Sequence, residues 1–166
     1  MLTKTLTNPT VEVISHHQFA DVWLDASNQK SLHATKAIKA GEVIRPFSAG
    51  SVQQHPTYLT VQTGVNRHIT LQPEFLQYIN HSCEPNVFFD TTSMELICIK
   101  SIEVGEELLF FYPSTEWDMT QSFVCNCANS NCQQLINGAS HLSLETLNTY
   151  RLTDFIQRLV KQKFSL

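Results

Sequence analysis

At 166 residues, 42% of them hydrophobic and 16% charged, the chain is long enough for one globular domain with its own core and too apolar for a disordered polymer. A net charge of −4 argues against general nucleic-acid binding. No apolar run approaches the roughly 20 residues of a membrane helix, and the opening "MLTKTLTNPT" lacks the apolar centre of a secretory signal, so the expected setting is intracellular: cytoplasmic, with the nucleus left open.

Residues 1–15 read as an N-terminal extension or edge strand, in which "VEVISH" alternates well enough to pair with a neighbour. "FADVWLDAS" fits a strand or a short helical turn. Further strands are expected at "SLHATKAI", "GEVIRPF", "TYLTVQT", "RHITLQ", "NVFFDT", "MELICIK" and "EELLFFY", all rich in β-branched and aromatic types and bounded by Gly, Pro, Asn or Ser. Two stretches echo one another. "AIKAGEVI" and "SIEVGEEL" share Ile-x-x-Gly-Glu, which suits a turn where Gly41 or Gly105 supplies a positive φ. "PEFLQYI" reads as a short helix starting at Pro73, with Phe75, Leu76 and Ile79 on one face. "SLETLNTYRLTDFIQRLVKQKF" has helical spacing, with Leu144, Leu147, Leu152, Phe155, Ile156, Leu159 and Val160 near one stripe, Ser143 as cap, and Lys161 and Lys163 suiting the last turn. That stripe either packs on its own domain or forms a homodimer contact. The fold class is mostly β with short helices and a helical C-terminus.

The acidity is uneven: from His81 to Thr120 there are eight Asp or Glu residues and one lysine, Lys100. Such a stretch would attract a basic partner or would simply be a solvated, turn-rich face. The five cysteines are clustered, and inside a cell such clusters point to metal rather than disulfides. "CNCANSNC" supplies Cys125, Cys127 and Cys132, one ligand short of tetrahedral zinc, leaving Cys83 and Cys98 as sources of the fourth. Cys98, within "LICIK", suits a core position, whereas Cys83 sits at a turn bounded by Pro85 and is freer to face a metal.

"NHSCEPNV", then "GEELLFFY", then "CNCANSNC" resembles the SET-domain protein lysine methyltransferases, in that order and at comparable distances, and "HATKAIKAGEVI" resembles their opening hairpin. The similarity runs from about Ser27 to Gly138. It implies a SET-domain fold of several small sheets with knot-like C-terminal threading, organised as a catalytic domain over 16–120, a post-SET-like zinc segment over 121–140 and a C-terminal helix over 141–166. It implies S-adenosylmethionine as cofactor, held by Ser31, Leu32, His33, Asn80, His81, Tyr112 and Leu135. Tyr112 would be the catalytic tyrosine, and Cys83 would complete one zinc site with Cys125, Cys127 and Cys132. The implied reaction is methyl transfer to a lysine side-chain amine of a protein or peptide, with no direct nucleic-acid contact and no membrane. A small-molecule amine as acceptor, or a non-catalytic binding module, are the alternatives.

Four positions depart from that pattern. Gln29 and Ser31 stand where the family has Gly-x-Gly, so side chains occupy places where a bare backbone would approach the cofactor. Phe111 stands where an Asp is common, making the wall beside Tyr112 more apolar. Phe47, in "PFSAG", stands where a tyrosine hydroxyl would tune the number of methyl groups added.

Overall fold

The computed structural model describes residues 11–166, so most of the expected N-terminal extension lies outside the described residues. Five small sheets follow. Strands β1 (Glu12–His16), β2 (Ala20–Leu24) and β3 (Lys30–Ala34) form the first, so "VEVISH" does pair, and "FADVWLDAS" is a strand. Strands β4 (Val43–Pro46), β9 (Val87–Asp90) and β10 (Glu95–Cys98) form the second in the order β4-β10-β9. Strands β5 (Ser48–Gln53), β6 (Thr60–Gly64) and β7 (Arg67–Gln72) form the third in the order β5-β7-β6. Two two-residue pairs complete the set: β8 (Asn80–His81) with β11 (Leu109–Phe110), and β12 (Phe123–Val124) with β13 (Leu135–Ile136).

Alternation decides which faces are buried. Along β3, Leu32 and Ala34 enter the core while Ser31 and His33 face outward; along β2, Ala20 and Val22 are buried while Asp21 and Trp23 are not. The main core gathers these with Ile69, Leu76, Ile79, Phe89, Leu96 and Leu108. "PEFLQYI" is a 3-10 turn, Glu74–Tyr78, that starts after Pro73 and buries Phe75 and Leu76, with Ile79 buried just beyond it.

The echo in the sequence is an echo in space. Ile38 and Ile102 exchange both backbone hydrogen bonds at 2.9 Å. Gly41 N–H donates to the Cys98 carbonyl and Gly105 N–H to the Ala34 carbonyl, each at 2.8 Å. Cys98 N–H donates to Glu42 at 2.9 Å, and Ala34 N–H to Glu106 at 2.8 Å. One and the same step along the chain separates Ile38 from Ile102, Gly41 from Gly105, Ala34 from Cys98 and Glu42 from Glu106, so the two halves meet about a local pseudo-dyad. Both glycines have positive φ, +92° and +87°, as the turn requires. In each turn the glutamate side chain closes the loop: Glu42 Oε1 accepts from Lys39 N–H at 3.1 Å and Glu106 Oε2 from Glu103 N–H at 2.8 Å. This pairing lays the Gly105–Leu108 segment against β3 and so builds one wall of the site.

At the C-terminus the expected continuous helix is broken in two. Helix α1 is only Leu144–Leu147, capped by Ser143, whose Oγ accepts from Thr146 N–H at 3.1 Å. Helix α2, Asp154–Phe164, restarts with Thr153 as N-cap and ends on Lys161 and Lys163 as expected. The interruption has a cause in Tyr150, whose ring stacks on Phe111 (centroids 3.7 Å apart, 6° between planes) while its hydroxyl donates to the Cys83 carbonyl at 2.8 Å. The helical stripe packs within the chain, in a second cluster built from Ala139, Leu147, Leu152, Phe155, Ile156 and Val160. Tyr150→Phe keeps the stack and removes the hydrogen bond to a buried turn, so a loss of about 1 kcal/mol is expected in denaturant titration.

Candidate active site and cysteine cluster

Three segments far apart in sequence converge. Strand β11 runs parallel to β8, pairing Leu109 with Asn80 and Phe110 with His81, while on its other side Leu108 N–H donates to the Leu32 carbonyl at 2.8 Å. The "GEELLFFY" segment is therefore threaded between β3 and the "NHSCEPNV" turn. Asn86 pins that threading: its Oδ1 accepts from Leu109 N–H and its Nδ2 donates to the Glu107 carbonyl, both at 2.8 Å. Asn86 belongs to the "NHSCEPNV" motif, where a side-chain amide just after Pro85 is well suited to tying a turn.

Asn80 is fixed by two acceptors, donating from Nδ2 to the Lys30 carbonyl at 3.0 Å and to Glu107 Oε1 at 2.9 Å. His81 Nδ1 accepts from the backbone N–H of Tyr112 at 3.2 Å. The remaining ring proton must then lie on Nε2, which faces Cys83 Sγ at 3.4 Å. Burial lowers the His81 pKa to about 4, so the ring is neutral and this tautomer holds. One imidazole thus joins the tyrosine's backbone to the cysteine cluster. Tyr112 begins a 3-10 turn, Tyr112–Ser114, stiffened by Pro113. Its ring is boxed by Phe110 (4.6 Å), His81 (5.2 Å) and Phe123 (5.9 Å), and its hydroxyl donates to the Ile79 carbonyl at 3.4 Å. Burial first, and the Glu107 carboxylate second, push its phenol above the ordinary tyrosine range, so it stays protonated at neutral pH.

The sulfur atoms of Cys83, Cys125, Cys127 and Cys132 all lie within 4.8 Å of one another. Four sulfurs at about 2.3 Å from one ion stand close to 4 Å apart, so the set suits tetrahedral zinc. Cys83 and Cys125 are 4.0 Å apart, and backbone N–H groups aim at the sulfurs, from Gln133 to Cys83 at 3.3 Å and from Gln134 to Cys132 at 3.4 Å. Such donors support thiolate ligands. Cys98 lies apart in the main core, its thiol directed at the Lys100 carbonyl at 3.1 Å.

A cavity of about 160 Å³ opens beside Tyr112, with Leu59, Val61, Ile79, Phe110 and Phe123 on its walls and one carboxyl, Glu116, among them. Glu116 is 7% exposed. Burial raises its pKa to about 8, against the opposing pull of hydrogen bonds from Gln62 N–H and the Thr115 hydroxyl. Between the ordinary value of 4.5 and about 8, the folded protein keeps a proton that the unfolded chain has released, so stability falls as pH rises through that window. Glu116→Gln should abolish that slope and be more stable than the parent at pH 8 by on the order of 2 kcal/mol, read from urea titrations at pH 5 and pH 8. Nothing but a lone acid inside apolar "YPSTEW" marked this residue in the sequence.

Two departures from the family pattern resolve differently from expectation. Phe111 does not wall the cavity: it is buried against Tyr150 and serves to dock the C-terminal segment. Phe47 is buried in the main core, edge-on to Phe89 with centroids 5.4 Å apart, and is not among the cavity's lining residues. Of the other expected cofactor contacts, Leu32 turns its side chain into the core and Leu135 is half exposed on β13. Ser31 Oγ lies 3.0 Å from His33 Nε2, and the His33 ring stacks under Trp23 at 3.8 Å. The Ser31 side chain is therefore engaged along the outer face of the sheet. The acidic stretch is likewise dispersed. Six of its eight acids have separate partners: Glu84 with Lys100, Asp90 with Arg151, Asp118 with His141, and Glu106, Glu107 and Glu116 with amide donors.

Comparison with known proteins fits this geometry. Residues 29–113 match the model of the SET domain. Over 161 residues the chain is 34% identical to Methyltransferase flvH of Aspergillus flavus, covering 88% of this chain and 90% of that protein. It is 31% identical over 74 residues to human Histone-lysine N-methyltransferase 2B, but those residues are 41% of this chain and only 3% of that much longer protein. Among solved structures, that of KRYPTONITE in complex with mCHG DNA and SAH is similar in fold, with a TM-score of 0.56 at 22% identity over 73% of this chain and 30% of that one. SET methyltransferases use S-adenosylmethionine, and the residues that would hold it here are Asn80, whose Oδ1 takes no bond from a described residue, the outward Ser31–His33 edge, Tyr112 and an apolar Leu135 on the tail. Fold, threaded motifs and metal-binding cysteine cluster agree: the chain belongs to the SET-domain family of methyltransferases.

Proposed function

We propose that this protein transfers a methyl group from S-adenosylmethionine to the side-chain amine of a lysine in a protein substrate. The observation that carries the reading is the place of Tyr112, which lines the cavity and is bonded through its backbone to the Asn80–His81 segment. Asn80, the Ser31–His33 edge, Tyr112 and Leu135 would hold the cofactor, which when bound would supply an electrophilic methyl carbon on a sulfonium. The residues around it do the rest. An amine in water is protonated, with pKa about 10.4, and only its neutral form attacks carbon. The apolar walls of Phe110 and Phe123 disfavour the charged form. The Tyr112 hydroxyl and the nearby Ile79 carbonyl orient the nitrogen lone pair, and alignment of this kind supplies several kcal/mol without acid–base chemistry. Cys83 anchors the tail that closes the site, since its sulfur belongs to the cluster and its carbonyl receives Tyr150 and Asn131.

A second acceptor, a small-molecule amine, is favoured by one finding: the near-full-length relative is named only as a methyltransferase, whereas the human histone-lysine relative matches 41% of the chain. Reaction of the protein with deuterated S-adenosylmethionine and cell extract, followed by mass spectrometry of proteins and metabolites, tests both readings. Labelled lysine in protein is the expected result; label found only in metabolites would transfer the function to the second reading.

A further inference from the structure

Glu116 is the one carboxyl side chain among the described residues that line the cavity, set between apolar walls and uncharged Thr, Gln and Ser side chains, and nothing in the mechanism above uses it. A buried carboxyl is costly, so its persistence calls for a partner. Its setting is built rather than incidental. Oε1 accepts from Gln62 N–H at 2.9 Å, with the Thr115 hydroxyl at 3.5 Å. The Glu116 N–H donates to the Tyr112 carbonyl at 3.1 Å, and its own carbonyl accepts from Ala139 N–H at 2.8 Å. The Gln62 side chain in turn accepts from Trp117 N–H at 3.1 Å, clamping the segment to β6. Oε2 takes no hydrogen bond from any described residue, although the side chain lines the cavity that Tyr112 also lines.

We propose that Glu116 is a positioning residue that receives the ammonium of the incoming acceptor, selecting a cation carried on an unbranched apolar stem. The walls suit the stem: Leu59, Val61, Leu71 and Met119 offer methylene-sized apolar contact along the way to Tyr112. The free oxygen suits the head, because an ammonium beside Oε2 favours the ionised carboxylate and forms a charge-assisted N–H bond to the acceptor left open. Its role is to dock the amine in its protonated form; the proton leaves to solvent before the neutral amine attacks beside Tyr112, and Glu116 takes no covalent part. The proposal rests on the amine-methylation reading, and it names chemistry shared by a lysine in a peptide and a free alkylamine.

The test uses full-length protein saturated with S-adenosylhomocysteine and titrated with three probes: Nα-acetyl-lysine methylamide, its uncharged norleucine counterpart, and cadaverine. The parent should bind the lysine probe or cadaverine at least about tenfold more tightly than the norleucine probe, and Glu116→Gln should lose that preference. Whichever cationic probe binds more tightly identifies the source, peptide-borne or free. In turnover, Glu116→Gln should raise the acceptor KM about tenfold while kcat and cofactor affinity stay within about threefold, a split that general loss of structure does not produce. Glu116→Asp keeps the carboxyl and should retain part of the preference, a rescue that a general loss of packing at this position would not give. A preference intact in Glu116→Gln, or absent from the parent, overturns the proposal. Failure of the parent to bind S-adenosylmethionine is seen before any amine is added, and it overturns the methylation reading together with the proposal.

Discussion

Cys83→Ser is expected to release the segment from Met119 to Ile136 and to lower turnover at least about 100-fold, or ~2.7 kcal/mol, while the main core stays folded. Apart from the cysteine cluster, that segment is held by short strands, a small apolar contact and a few side-chain hydrogen bonds. Strands β12 and β13 are two residues each, too short to be stable as a hairpin. The apolar cluster there has only Cys83, Cys125 and Ile136 buried among the described residues, with Tyr112, Met119 and Phe123 alongside. A structural zinc ion, by contrast, contributes on the order of 10 kcal/mol. Cys83 is the one member of the cluster from outside the tail, so losing it leaves three sulfurs that all belong to the tail, with hydrogen bonds such as Asn131 Nδ2 to the Cys83 carbonyl as the remaining ties to the turn. Purified parent should carry about one zinc per chain by elemental analysis. The variant should lose it, and limited proteolysis should cut within the tail. Cys98→Ser is the control, since that thiol lies in the main core and its loss should leave metal content unchanged. A zinc-free Cys83 variant that keeps parental turnover and protease resistance would show that the tail closes without metal.

Much of this arrangement is legible in the sequence because its signals are local and redundant. The strands at β3, β6, β7, β9 and β10 show in their β-branched and aromatic residues, and the two Ile-x-x-Gly-Glu turns show in their glycines. The choice of Cys83 over Cys98 followed from the turn beside Pro85, and the structure brings Cys83 to the other three. What escaped was decided by distant contacts. Strands β8, β11, β12 and β13 are two-residue pairings with no periodicity to detect. The break between α1 and α2 exists because Tyr150 is drawn to Phe111 and Cys83, and the helical stripe carries no trace of that demand. Phe47 and Phe111 were placed at the reaction chamber by analogy, yet each found an aromatic partner elsewhere, Phe89 and Tyr150. Glu116 went unseen for the opposite reason: burial of a single acid is a property of the cavity, and sequence reading assigns such a residue to solvent.

Tyr112→Phe is expected to cut turnover by at least tenfold, on the order of 1.4 kcal/mol or more, with cofactor affinity within about threefold of the parent. The substitution removes one oxygen and little packing, because the ring keeps its neighbours Phe110, His81 and Phe123. Its backbone N–H still reaches His81, so the link to the cysteine cluster survives. What is lost is the hydroxyl set 3.4 Å from the Ile79 carbonyl, a polar pair beside an otherwise apolar wall. Two roles for that hydroxyl make different demands on pH. A general base would have to be a phenolate, and burial together with Glu107 pushes the phenol above its ordinary range, leaving almost none of it ionised near neutrality. An orienting group works as the neutral phenol at any pH where the protein is folded. The pH–rate profile should therefore keep its shape in Tyr112→Phe and only shift downward. Parental turnover in that variant would remove the hydroxyl from the mechanism. A reduced rate accompanied by loss of a basic limb from the profile would instead make Tyr112 a base.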